Sequence, residues 1–146
     1  MRTYSRPIEV LLVEDSPADA RLTEEAFHEG TVTNHLNVVS DGVEALDFLR
    51  RRGRHSQAPR PDLILLDLNL PGKDGRQVLE EIKSDPGLRR IPVMMMSSSR
   101  EDRDMQRAYE LHANCYIEKP LDFDQYVDVV RSIEHFWFDI VTLPTA

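Results

Sequence analysis

The chain has 146 residues, 40% of them hydrophobic and 30% charged, with a formal net charge of −8. That length suffices for a core without disulfide or metal staples, and the acidic balance argues against general DNA or RNA binding, which needs a basic face. The one cysteine, Cys115, cannot form an internal disulfide, no apolar stretch approaches a membrane span, and Met1 to Pro7 lacks a hydrophobic signal core, so one cytoplasmic domain over 1–146 is expected, with no membrane partner.

Ile8 to Val13 reads as a first strand. Glu14 and Asp15 follow, then Ser16 caps a helix that has Pro17 at its first position and Ala20, Leu22, Ala26 and Phe27 as its apolar residues, up to Gly30. Leu36 to Val39 is a shorter second strand. Asp41-Gly42 turns into a helix with Val43, Ala45, Leu46, Phe48 and Leu49 inward. Arg50 to His55 is basic, and is read as a solvated helix end rather than an anion patch.

Leu63 to Leu66 is a short apolar run that ends abruptly in Asp67, after which Leu70-Pro71-Gly72 turns the chain. Such a run reads as a strand buried on both faces, the kind found in parallel sheets covered by helices. Asp74 can cap a third helix with Val78, Leu79 and Ile82 inward, closed by a turn at Ser84 to Gly87. Ile91 to Met96 is a fourth strand leading into Ser97-Ser98-Ser99. Its three methionines alternate between faces, so they are core filler and cannot converge on one ion.

A fourth helix covers about Glu101 to Leu111, with Met105, Ala108 and Tyr109 inward. Cys115 to Glu118 is a fifth strand closed by Lys119-Pro120. The last helix spans about Phe123 to Phe136, with Tyr126, Val127, Val130 and Ile133 on one face. An extension over 136–146 begins Phe136-Trp137-Phe138, aromatics that can bury against a partner or fold back on their own domain.

Five strand–helix repeats predict an α/β fold of (βα)5 type, a doubly wound parallel sheet with helices on both faces. With strand order 2-1-3-4-5, the carboxyl edge gathers Glu14 and Asp15, Asp67, Ser97 and Lys119, while Ser40 and Asp41 fall at the far edge. Packed carboxylates repel unless a cation intervenes, and hard oxygen ligands suit Mg²⁺. Asp67 would then be the nucleophile toward a phosphoryl group, with Lys119 as a second cation and the Ser97 hydroxyl on one phosphoryl oxygen. Each residue alone is weak evidence. The strength lies in each following its own apolar run.

Leu11 to Asp15, Leu65 to Gly75, Ile91 to Ser97 and Tyr116 to Pro120 together resemble the receiver domain of two-component response regulators, over roughly Ile8 to Ile133. The resemblance implies a flavodoxin-like fold and assigns roles. Asp67 becomes the phosphoacceptor, and Asp15 and Asp67 metal ligands. Glu14 acts through water, and Asn69 contributes its backbone carbonyl. Ser97 and Tyr116 become the switch pair, Lys119 the phosphate-binding lysine, and the Lys119–Pro120 bond is expected cis. His112 and Asn114 depart from the small residues many receivers carry before the fifth strand.

The chain ends soon after its fifth helix, which implies no output domain. The Phe136-Trp137-Phe138 ending with Thr142-Leu143-Pro144, the Tyr109 to Tyr116 segment and the loop before Pro61 are similar to the small regulators that partner bacterial phytochrome histidine kinases. Those relatives form homodimers through the fourth helix, fifth strand and fifth helix, which brings Phe136, Trp137 and Phe138 in as interface residues. Two enzyme-like alternatives fare worse. A haloacid-dehalogenase-type phosphatase wants an acid where Asn69 stands, and in a flavodoxin-like electron carrier Glu14-Asp15 would repel an FMN phosphate.

Overall fold

The structure is a computed structural model, and it describes residues 7–98 and 101–140. Five strands, β1 (Ile8–Val13), β2 (Asn34–Val39), β3 (Leu63–Asp67), β4 (Val93–Ser97) and β5 (Cys115–Glu118), form one sheet in the order β2-β1-β3-β4-β5. Every pairing is parallel. The helices are α1 (Pro17–His28), α2 (Gly42–Leu49), α3 (Gly75–Ser84), α4 (Asp102–Glu110) and α5 (Phe123–Ile133). A 3-10 turn occupies Gly53–His55, and α5 runs on into a π-helical segment, Glu134–Ile140.

Strand alternation sorts the core into two halves. Leu11, Val13, Ile64, Leu66 and Met95 pack under α2 and α3, with Ala108 of α4 reaching the same side. Val10, Leu12, Leu65, Met94 and Met96 pack against Ala26 and Phe27 of α1 and Tyr126, Val130 and Ile133 of α5. The methionines alternate between these halves as the strand period requires.

Side-chain caps start α1, α2, α3 and α5. Ser16 accepts from the Asp19 amide, Asp41 from Glu44, Asp122 from Gln125, and Asp74 with Gln77 makes a reciprocal capping box. Helix α4 ends in a Schellman arrangement. The His112 amide donates to Tyr109 and that of Ala113 to Ala108, with His112 in the left-handed region at φ 72°.

Three residues expected inward are not. Met105 and Tyr109 on α4 are 38% and 47% exposed, because α4 lies over the edge strand β5 and reaches the core mainly through Ala108. The Tyr109 hydroxyl instead accepts the backbone N–H of Tyr116, an edge-strand donor. Val43, in the first turn of α2, lies near the Gly72 loop and stays exposed. Strand β2 also starts two residues before the apolar run, as Asn34 and His35 pair with Ile8 and Glu9.

Candidate functional site

Each site residue sits at or just past the end of a strand. Asp67 is the last residue of β3, and alternation from Leu63 and Leu65 directs it to the side covered by α1 and α5. Glu14 and Asp15 follow β1, Ser97 closes β4, and Lys119 follows β5. The Lys119 amide donates to the Ser97 carbonyl at 2.7 Å, which ties the last two loops together.

The centre of the site is the Lys119 ammonium. It lies 2.6 Å from Glu14 Oε1, 3.0 Å from Asp19 Oδ2 and 3.2 Å from Asp67 Oδ2. Glu14 and Asp67 are buried and Asp15 is exposed. Glu14, Asp15 and Asp67 each offer a carboxylate oxygen, and these oxygens lie within 4.8 Å of one another. Three hard oxygen donors at that spacing fit a small divalent cation such as Mg²⁺.

Burial first, and then the charge of Asp67, push the Glu14 carboxyl up to about 7 against the lowering pull of Lys119. Burial alone would lower the Lys119 ammonium. Its hydrogen bonds to Glu14 and Asp19 and the charges of Asp67 and Glu14 outweigh that and hold it above its ordinary value.

The remaining sequence-derived candidates fall as follows. The Asn69 amide donates to Asp67 Oδ1 at 3.3 Å, so its backbone borders the acidic cluster. Ser97 is fully buried at the end of β4, and Tyr116 packs half-buried on the α2–α3 side of the core. The Lys119–Pro120 peptide is trans, not cis as the resemblance implies; a tertiary X–Pro amide favours trans intrinsically. Asp41 serves as the α2 cap, away from the cluster.

The aromatic extension divides. Trp137 folds back on the domain, its indole N–H donating to Met94 Sδ at 3.1 Å, and Phe136 meets it edge-on while remaining 49% exposed. The side chain of Phe138, and Thr142, Leu143 and Pro144, lie outside the described residues.

Several residues that matter carried no readable signal. Asp19 reads as an acidic residue suited to a helix N-terminus, yet it reaches Lys119, 100 positions away. Gly75 lets α3 press against the phosphoacceptor-candidate loop: its amide donates to the Leu68 carbonyl, and a Cβ there would fall on the Asp67 carbonyl oxygen and within 2.8 Å of Leu68 Cα. Asn114 uses its side-chain oxygen to accept from the Val93 amide and from Lys83, fixing the entry to β4. Glu134 is buried beside Gly30 and accepts from the Val32 amide. A carboxylate packed against a glycine that far away in the chain is invisible to periodicity.

A parallel α/β sheet carries a carboxylate cluster and a lysine that converge at its carboxyl edge, a donor set suited to a divalent cation. Residues 10–131 match the response regulator receiver domain. The chain is 48% identical over 140 residues to the response regulator Rcp1 of a Synechocystis strain, covering 96% of this chain and 95% of that one. Among solved structures, the phosphorylated cyanobacterial phytochrome response regulator RcpA superposes with a TM-score of 0.91 at 50% identity, over 96% of this chain and all of that one. The Mn²⁺-bound form of Rcp1 superposes with a TM-score of 0.88 at 47% identity, over 95% and 100%. The chain belongs to the receiver-domain family of two-component response regulators.

Proposed function

We propose that this protein accepts a phosphoryl group on Asp67 from the phosphohistidine of a sensor histidine kinase and passes the signal on through altered protein contacts. The observation that carries the reading is the partly buried Lys119 ammonium 3.2 Å from Asp67, beside a cluster of three converging carboxylates. An Asp67 oxygen forms the new P–O bond as the donor's P–N bond breaks, and the electron pair returns to the imidazole.

Asp15, Asp67 and the Asn69 backbone carbonyl are the proposed holders of Mg²⁺, with Glu14 acting through water. Bound there, the ion supplies the positive charge that lets an anionic phosphoryl group approach acidic residues. Ser97 and Lys119 then each bind a phosphoryl oxygen, and Tyr116 moves inward behind Ser97. The protein catalyses only its own phosphorylation and dephosphorylation, and works in the cytoplasm as one receiver domain. Among the described residues no helix is long and apolar enough to cross a membrane.

The kinase we favour is a bacterial phytochrome, on the strength of what RcpA is and of its 50% identity to this chain. The proposed homodimer uses α4, β5 and α5. Supporting it are the exposed Tyr109 and Phe136. Phe136 borders an apolar cavity of about 580 Å³, with Met94, Ile117, Val129 and Trp137 also in its lining.

Incubating the protein with Mg²⁺ and acetyl phosphate, then weighing it intact, tests the phosphoacceptor. A single phosphoryl adduct that Asp67→Ala abolishes is expected. No adduct on the parent chain, or an equal adduct on the variant, overturns the reading.

A further inference from the structure

The amino edge of the sheet, opposite the carboxylate site, gathers arginines. Residues 50–60, which lead toward β3, hold five arginines and no acid; residues 85–90, which lead toward β4, hold two more and one aspartate, in a chain of net charge −8. The two loops are joined. Arg60 Nη1 donates to the Gly87 carbonyl at 2.7 Å, and Arg50 Nε lies 3.6 Å from Asp85 Oδ2. The Lys83 ammonium donates to the carbonyls of Arg89 and Ile91, each at 3.1 Å, which fixes the second loop from within. Cations from two separate stretches of sequence therefore share one surface.

These arginines divide by what they meet. Arg50, Arg52 and Arg54 face Glu81, Asp47 and Glu44, so their charges are answered. Arg51, Arg60, Arg89 and Arg90 have no carboxylate partner among the described residues. Arg51 Nε donates to the Ala58 carbonyl at 2.9 Å, as Arg60 does to Gly87, which leaves each guanidinium most of its five N–H donors unused. Arg51 also stands at the close of α2 with φ 54°, a position that favours glycine. A guanidinium anchored in advance loses less freedom on binding than a free one.

The surroundings narrow what the surface can bind. Among the described residues no large apolar side chain is exposed in either loop, so nothing there can insert into a lipid surface. Neither loop contains Phe, Tyr or Trp on which a base could stack, and the acidic remainder of the chain repels a polyanion long enough to run past the patch. A short run of carboxylates fits, because planar, forked guanidinium groups pair with carboxylates two bonds at a time.

We propose that this edge is a docking surface for an acidic segment of a partner protein, a run of Asp and Glu side chains received by Arg51, Arg60, Arg89 and Arg90. The five residues of β3 set it roughly 15 Å from Asp67, so the segment and the carboxylate site can be engaged together. The proposal does not depend on Asp67 being a phosphoacceptor.

The test titrates the full chain, at low ionic strength, with a capped peptide of about six glutamates spaced by glycine, read by the ¹⁵N amide spectrum. Binding is expected to shift amides in 50–60 and 85–90, to leave those of Asp15, Asp67 and Lys119 in place, and to weaken as salt is added. The Arg89 and Arg90 side chains hold no hydrogen bond or ion pair among the described residues, so Arg89→Ala with Arg90→Ala leaves the fold intact. That pair is expected to weaken binding about three- to tenfold, the scale of two exposed ion pairs, and Arg51→Ala with Arg60→Ala to do the same. Arg21→Ala with Arg103→Ala, an equal change in net charge at exposed positions elsewhere, is expected to stay within about twofold.

No binding at low salt, amide shifts centred on the carboxylate site, or an equal loss in the control pair overturns the proposal. So does duplex DNA of equal charge, or a phosphatidylglycerol vesicle, binding as tightly as the peptide through the same arginines. Self-association that Arg89→Ala with Arg90→Ala abolishes would make the occupant a second copy of this chain, and overturns it as well.

Discussion

The Lys119 ammonium lies 2.6 Å from Glu14 Oε1, with the lysine side chain 13% exposed and the glutamate side chain buried at 5%. Removing one member of a buried pair leaves the other uncompensated. Lys119→Ala strands Glu14 and Asp67 together. In metal-free protein it is expected to cost about 2–3 kcal/mol, below the roughly 3–5 kcal/mol of a fully enclosed pair because Asp15 and Asp19 open the site to water. Urea unfolding with and without Mg²⁺ checks this. The loss is expected to shrink when Mg²⁺ is present, and an equal loss in both conditions contradicts a shared cation site.

Glu14 gives the site a pH dependence with a definite sign. Its carboxyl titrates near 4.5 when exposed and near 7 in the folded protein. Between those values the native state binds more protons than the unfolded one, so this residue's contribution to stability falls as pH rises through that window and is flat above it, with a slope of at most about 1.4 kcal/mol per pH unit. Comparison of the parent with Glu14→Gln across pH 4 to 8 isolates the effect. Mg²⁺ uptake is expected to release a proton and to tighten as pH rises toward 7, and Glu14→Gln is expected to flatten that rise.

Gly75 is held by contact with backbone, not with a movable side chain. Gly75→Ala places a methyl against the Asp67 carbonyl, so α3 must shift away from the β3 loop. A loss of about 2–3 kcal/mol is expected, in the upper range for overpacking a tight site. Asp74→Ala, which removes the neighbouring cap without a clash, is expected to cost about 1 kcal/mol. Denaturant midpoints of the two variants order these costs.

The strands and the α1, α3 and α5 cores were legible because apolar runs and capping residues coincide there: Ser16, Asp74 and the Leu63–Leu66 run each point one way. Asp15, Asp67 and Lys119 were legible because each follows an apolar run. Helix α4 was not, since Met105, Ala108 and Tyr109 make an inward stripe on paper and only the edge position of β5 shows that Ala108 alone reaches the core. Asp19 escaped for the opposite reason. Its local role at a helix start explains it fully, and its contact with Lys119 exists only once α1 is set beside the end of β5. The Glu134–Gly30 contact depends on the π-helical segment, which no apolar period encodes.

Phe136 and Trp137 are adjacent but are expected to answer different measurements. Trp137 packs on the core and holds Met94, so Trp137→Ala is expected to lower the melting temperature by several degrees, the shift of about 1–2 kcal/mol in a domain this size. Phe136 is half exposed, so Phe136→Ala is expected to leave the melting temperature within about 1 °C and to weaken self-association seen by analytical ultracentrifugation. A dimer unaffected by Phe136→Ala contradicts the proposed interface.

The indole of Trp137 touches the thioether of Met94, three residues before Ser97 on the same strand, and it is the sole tryptophan in the chain. Sulfur in contact with an excited indole is a quencher, so a displacement at the end of β4 would register as a change in intrinsic emission. The chain thus carries its own optical gauge beside the strand that ends at Ser97, and stopped-flow kinetics could follow the proposed switch with no dye attached.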